Sequence, residues 1–120
     1  MVTHLDRIGL LSPRLTVAHG VWLRAAECEL LAERGVIVSI NTSSNLRLHS
    51  GIAPVADLIR AGVQIAIGLD AASIDDDDGL REMRLTQLLH AGTGFDEVLS
   101  PARHLRGGHD HRAPRRDRAR

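Results

Sequence analysis

The chain has 120 residues and a formal net charge of zero, and its length excludes two full domains. Aromatic residues make up only 2% of it, so a core must be built from Leu, Ile, Val and Ala, which favours packed α/β layers over a small β-sandwich. The single Cys28 excludes an internal disulfide, and no stretch approaches the ~20 apolar residues of a membrane span, so we expect a reducing, cytoplasmic setting and no membrane partner.

Strand and helix patterns alternate along the first three quarters of the chain. Short apolar runs predict strands at residues 15–18, 36–40 and 63–69. Helical patterns are predicted at residues 25–34, 54–61 and 79–90. Gly35 and Gly62 stop the first two helices, and Pro54 opens the second one. The last helix should carry its apolar residues mostly on one side: Leu80, Met83, Leu85, Leu88 and Leu89.

Two of these units repeat, as "ERGVIVSI" and "RAGVQIAIG". Each consists of a helix end, a glycine stop and a buried strand, and this order requires parallel strands joined by crossover helices. The sequence therefore predicts an α/β fold with a parallel sheet. In such sheets ligands bind outside the carboxyl ends of the strands.

Polar residues follow each predicted strand at that end. They are His19 after the first strand, Asn41, Ser43, Ser44 and Asn45 after the second, and Asp70 after the third. We expect these groups to converge on one rim. His19 and Asp70 should face the same cavity, with Asn41 or Asn45 between their strands.

Four segments carry a resemblance to a known family: "VAHGVWL", "NTSSNLRLHSGIAPV", "GLDAAS" and "EMRL". In order and spacing they resemble the last third of the barrel in the metal-dependent amidohydrolase superfamily, in its cytosine-deaminase and chlorohydrolase-like branch. The resemblance covers residues 5–101, and "SSNLRLHSGIAPV" is its most specific part. It implies about three of the eight units of a TIM-type (β/α)8 barrel, in a domain of residues 1–102.

The resemblance also implies roles for two residues. His19 matches the family's histidine at the end of the sixth strand, which hydrogen-bonds the attacking water or the substrate. Asp70 matches the eighth-strand aspartate, a ligand of the catalytic zinc or iron that accepts the proton of the attacking water. The implied reaction on a small-molecule substrate is hydrolysis of a non-peptide carbon–nitrogen bond, such as deamination, with His19 and Asp70 catalytic and Asp70 a metal ligand.

The family's other metal ligands have no counterpart before residue 15. They form a His-x-His pair and a further histidine, whereas His4 is followed by Leu5 and Asp6. Because a catalytic zinc takes at least three protein ligands, we expect this chain alone to be inactive and to bind a divalent metal poorly or not at all. A complementary barrel fragment or self-association would then be needed.

Structural interpretations of the same residues stay open. Asp70 could cap a following helical turn, His19 could be a polar residue leaving a strand, and Asn45 could form a turn. Arg47 and His49 are expected at the surface. The acidic run at residues 75–78 lacks the alternating ligands of a calcium loop and fits a helix N-terminus.

Residues 103–120 differ in composition from the rest of the chain. They contain seven Arg and two acidic residues, against eight Arg and thirteen acidic residues in residues 1–102. The segment has no apolar periodicity, so we expect a disordered tail. Its composition is what GC-rich codons yield in a shifted reading frame, and the pair His109 and His111 is interpreted as a coincidence rather than a metal site.

Three classes of function follow. The first is a metal-dependent hydrolase, of which the chain is a part. The second is a noncatalytic α/β fragment that needs a partner, since its sheet edges would otherwise be exposed. The third is a nucleic-acid-binding protein that contacts phosphates through its Arg tail, which ranks below the others.

Overall fold

The computed structural model describes residues 1–71 and 78–91. Within this part of the chain there are five helices and three strands. The helices are α1 (Val2–Arg7), α2 (Ala25–Glu33), α3 (Thr42–Arg47), α4 (Val55–Ala61) and α5 (Gly79–His90). The strands are β1 (Thr16–Ala18), β2 (Ile37–Ile40) and β3 (Gln64–Ile67). None of the described helices is long and apolar enough to cross a bilayer.

The three strands form one parallel sheet in the order β1-β2-β3, which confirms the predicted parallel α/β arrangement. In the register, Val17 lies beside Val38, and Val38 beside Ile65. Helices connect successive strands, because a parallel pair needs a crossover to bring the chain back to the same edge. Gly62 ends α4 with φ 87°, the left-handed conformation that glycine adopts at little cost.

The core lies between the sheet and its connecting helices. Val36, Val38 and Ile40 are fully buried, together with Leu31 of α2 and Leu58 of α4. The opposite face of the sheet carries Ile37 and otherwise small or polar side chains. Four of them are exposed: Thr16, Ala18, Gln64 and Ala66. The described part of the sheet is therefore covered by helices on one face and accessible on the other.

The structure differs from the sequence prediction in its short helices. Neither α1 nor α3 was predicted, and Pro54 precedes α4 as its N-cap rather than forming its first residue. The segment of α3 gives a weak sequence signal, because its Ser, Thr and Asn residues have low helix propensity. Packing against α5 stabilises α3 instead.

None of the five apolar residues that were predicted to share one side of α5 is fully buried. Leu80 and Leu88 are 78% and 64% exposed, whereas the polar residues Glu82, Thr86 and His90 are buried. The polar side faces α3, where hydrogen-bond partners are available, and this offsets the cost of removing polar groups from water. Asp78 caps α5 by accepting from two backbone N–H groups, as predicted for the end of the acidic run.

Several predictions concern residues outside the described part of the chain. They include the rest of the acidic run, the domain boundary at residue 102, the tail at residues 103–120, and His109 with His111. These remain predictions.

Candidate active site

His19 and Asp70 lie at the carboxyl ends of β1 and β3, on either side of the central strand. The backbone ladder continues one step past each strand end, since His19 N donates to Ser39 O at 2.8 Å and Gly68 N donates to Ile40 O at 2.9 Å. The His19 Nε2 and Asp70 Oδ2 atoms are 3.8 Å apart. The predicted convergence of these two residues is confirmed.

Both residues adopt the left-handed backbone conformation, with φ 69° at His19 and φ 63° at Asp70. In the described residues only His49 joins them among the non-glycine residues with positive φ. This conformation costs a residue with a Cβ atom on the order of 1–2 kcal/mol, and such strain is concentrated at functional sites. Here it turns the chain sharply as each strand ends and directs both side chains to one rim.

Asn45 holds the imidazole of His19. Its Oδ1 lies 2.8 Å from His19 Nδ1. An amide oxygen only accepts, so this bond requires a proton on Nδ1, and Nε2 lies on the side of Asp70. Asn45 lies within α3, and its side chain bonds the His19 imidazole. It is therefore not a turn-forming residue.

Ser44 holds the carboxylate of Asp70. The buried Ser44 hydroxyl donates to Asp70 Oδ2 over 2.5 Å, a short bond of the kind that a carboxylate accepts. The sequence predicted that Ser44 lies at the rim but indicated no role for it. Consecutive residues of α3 thus position the two members of the pair.

Asn41 lies at the same rim but does not contact the pair through a described hydrogen bond. Its Oδ1 accepts from Ser39 Oγ at 3.1 Å. Arg47 and His49 are exposed, as predicted. Of the two asparagines proposed to lie between the outer strands, Asn45 makes the contact.

A cavity of about 530 Å³ opens beside the pair. His19 and Asp70 both line it, and its apolar wall includes Val17, Val21, Trp22, Leu23 and Leu48. A concave, largely apolar space with a few polar groups is the usual form of a small-molecule site. Trp22 is 85% exposed at this cavity, and its position there was not foreseen from the sequence.

Glu27 adds a negative charge to the cavity lining. The backbone N–H of Arg24 donates to Glu27 Oε2 at 3.1 Å, and this bond, with the charge of Arg24, holds the pKa of Glu27 below its ordinary value of 4.5. Glu27 is therefore ionised at neutral pH. It was not singled out in the sequence because it has the pattern of an ordinary helix residue.

The residues offer a metal ion too few ligands. Asp70 oxygen and His19 nitrogen are donors that zinc accepts, but the described residues contain no group of three or more His, Cys, Asp or Glu side chains placed to hold a metal. The described part of the chain thus does not form a complete metal site.

Comparisons with known proteins identify the family. Residues 1–107 match the sequence model of the amidohydrolase family. The chain is 45% identical over 102 residues to a 5'-deoxyadenosine deaminase of Methanothermobacter thermautotrophicus, covering 84% of this chain and 24% of that protein. It is 43% identical over 103 residues to a 5-methylthioadenosine/S-adenosylhomocysteine deaminase of Thermococcus kodakarensis. This alignment covers 85% of this chain and 24% of that protein. The chain belongs to the amidohydrolase family, which confirms the resemblance.

Solved structures agree with this assignment. An adenosine deaminase from Xanthomonas campestris with bound zinc superposes with a TM-score of 0.78 at 39% identity, over 88% of this chain and 25% of that one. An atrazine chlorohydrolase from Arthrobacter aurescens, complexed with zinc, superposes with a TM-score of 0.72 at 28% identity. The superposition covers 86% of this chain and 23% of that one. The chain spans about a quarter of the length of these relatives.

Proposed function

We propose that this chain supplies the His19–Asp70 part of the active site of a metal-dependent hydrolase that deaminates an adenosine-type nucleoside. The observation that carries the proposal is the convergence of these two side chains on one cavity, where Asn45 and Ser44 fix them. Family membership and the names of the relatives support the reaction class.

Asp70 and His19 have different roles in the proposed reaction. Asp70 accepts a proton from the attacking water and passes it to the leaving amine, as a general base and then a general acid. His19, with its Nδ1 proton held by Asn45, presents Nε2 to the water or the substrate. The cavity beside them receives the purine and sugar.

Asp70 is the metal ligand in this proposal. A divalent metal, zinc or iron, would lower the pKa of a water molecule toward ~7 when bound. Because the described residues bring no third ligand to the site, further ligands must come from elsewhere, and the isolated chain is inactive.

The same proposal accounts for the accessible face of the sheet. Three parallel strands with helices on one side correspond to about three of the eight units of a (β/α)8 barrel, whose inner face is filled by side chains from all eight strands. The partner is then a complementary barrel segment, in the same polypeptide or in another one.

A chimera tests the proposal. The 102-residue stretch of the Methanothermobacter deaminase that aligns with this chain is replaced by the matching residues of this chain, and ammonia release from 5'-deoxyadenosine is measured. We expect an active chimera, whose rate falls about 10²-fold or more in His19→Ala and in Asp70→Asn.

Two variants of the same residue types serve as matched controls. His49→Ala and Asp57→Asn change exposed residues outside the cavity and should leave the rate within twofold of the parent chimera. A folded chimera without deaminase activity, or equal losses in the control variants, would contradict the proposed function.

A further inference from the structure

The buried polar side of α5 makes two hydrogen bonds to the start of α3. Glu82 is only 3% exposed, and its Oε1 accepts from the backbone N–H of Ser43 at 3.0 Å. One turn further along α5, the Thr86 hydroxyl lies 2.6 Å from the Thr42 hydroxyl. A buried carboxylate is costly unless it is hydrogen-bonded, so the position of Glu82 depends on its bond to Ser43.

Helix α3 needs this support. It has six residues and no side-chain cap, and a helix of this length is not stable by itself. The first N–H groups of any helix lack partners within it. Glu82 provides a partner for one of them, and the threonine pair fixes the helix beside it.

The same short helix contacts the candidate catalytic pair. Thr42 and Ser43 face α5, and the next two residues, Ser44 and Asn45, bond Asp70 and His19. In a helix this short, a rotation or shift of the first turn displaces all four residues together. An error of about 1 Å in such positions can cost 10²-fold in rate.

We propose that Glu82 is a positioning residue, which acts through α3 to hold the Asp70 carboxylate and the His19 imidazole in register. It does not touch either of them. The role is defined by geometry, and only its effect on rate rests on the proposed function.

NMR of the full chain tests this role without any activity. In Glu82→Leu, which removes the acceptor, the imidazole signals of His19 should shift, and the Nδ1–H signal should broaden or disappear. Glu82→Gln keeps an oxygen acceptor for Ser43 and should restore the parent signals. Gln87→Leu, at an exposed position on the same helix, is the matched control. It should leave both the imidazole signals and the Nδ1–H signal of His19 unchanged.

A merely structural role predicts a different result. If Glu82→Leu lowers the thermal midpoint but leaves the His19 signals in place, the proposal is overturned. If Glu82→Leu does not fold, Thr86→Val removes the second contact at nearly constant volume. It should shift the same His19 signals by less, and unchanged signals in that variant would also overturn the proposal.

The chimera separates this proposal from the proposed function. There Glu82→Leu should lower kcat about tenfold or more with little change in KM, and Glu82→Gln should recover most of it. An inactive parent chimera, combined with shifted His19 signals in the full-chain variant, would refute the proposed function and leave the positioning role intact. An active chimera whose kcat is unchanged in Glu82→Leu would refute the positioning role alone.

Discussion

Gly68 lies where β3 approaches the polar groups that end β2. A Cβ atom at this position would overlap Asn41 Oδ1 and Ser39 Oγ, which are hydrogen-bonded to each other. The restriction is steric, since the backbone of Gly68 is not in the left-handed region. The residue two positions before Asp70 therefore has to be small for the strand end to reach the rim.

We predict that Gly68→Ala lowers the free energy of unfolding by roughly 1–3 kcal/mol, the usual cost of adding a methyl group to a filled site. Urea denaturation of the full chain measures it. Gly79→Ala is the matched control, because a Cβ atom there meets nothing within 4 Å. At this helix position alanine should leave stability equal or raise it by up to about 1 kcal/mol. Equal losses in the two variants would contradict the steric account of Gly68.

At the level of elements, sequence patterns predicted the parts of the site that end strands and missed the part that lies in a helix. His19 and Asp70 follow apolar runs, and the carboxyl ends of parallel strands meet at one edge, so their convergence could be predicted. Helix α3 could not, because its Ser, Thr and Asn residues resemble a loop and are helical through contacts made by α5. The hydrogen bonds of Ser44 to Asp70 and of Asn45 to His19 depend on that helix.

The polar side of α5 makes stability depend on pH through His90. Burial lowers the pKa of His90 below its ordinary value of 6.5, because the charged form loses hydration. The unfolded chain then binds the proton more readily than the folded chain. Stability from this residue is present above pH 6.5 and is lost as the pH falls through the lower, folded-state pKa.

We therefore predict that the free energy of unfolding decreases as the pH falls below about 6.5, and that His90→Gln reduces this dependence. Urea denaturation at several pH values measures both slopes. His49→Gln, the same substitution at an exposed position, is the matched control. A slope that is identical in the parent and in His90→Gln would contradict the role of His90.

The exposed leucines of α5 give another prediction for this helix. Leu80 and Leu88 are mostly exposed, so Leu80→Gln with Leu88→Gln should change the free energy of unfolding by less than about 1 kcal/mol. Leu31→Ala, in the core, should cost roughly 2–5 kcal/mol. If the double variant is as destabilised as Leu31→Ala, the leucines are covered in the folded chain. Sedimentation velocity shows whether self-association is the reason.

At the scale of the whole molecule, the parallel order of the strands followed from the sequence because the helix–glycine–strand unit repeats. The accessible face of the sheet did not, since Thr16, Ala18 and Ala66 are ordinary residues for either face of a strand. Which face a helix covers depends on contacts along the whole unit. For the same reason the leucines of α5 do not indicate which of its sides is buried.

Metal content is the prediction that belongs to the whole chain. After incubation with zinc and dialysis, the purified protein should retain well below one equivalent, because the described residues place only His19 and Asp70 together as ligands. The active chimera is the positive control. Stoichiometric zinc that survives dialysis in the isolated chain and is lost in Asp70→Ala would contradict this prediction.

Trp22 gives the cavity an optical signal of its own. The chain has one tryptophan and no tyrosine, so its ultraviolet emission comes almost wholly from this indole. Because the ring is already largely in water in the folded chain, unfolding should change the emission wavelength little. A nucleoside or a complementary segment that enters the cavity would dehydrate the ring and shift the emission to the blue. The intrinsic fluorescence therefore reports occupation of the cavity without a label.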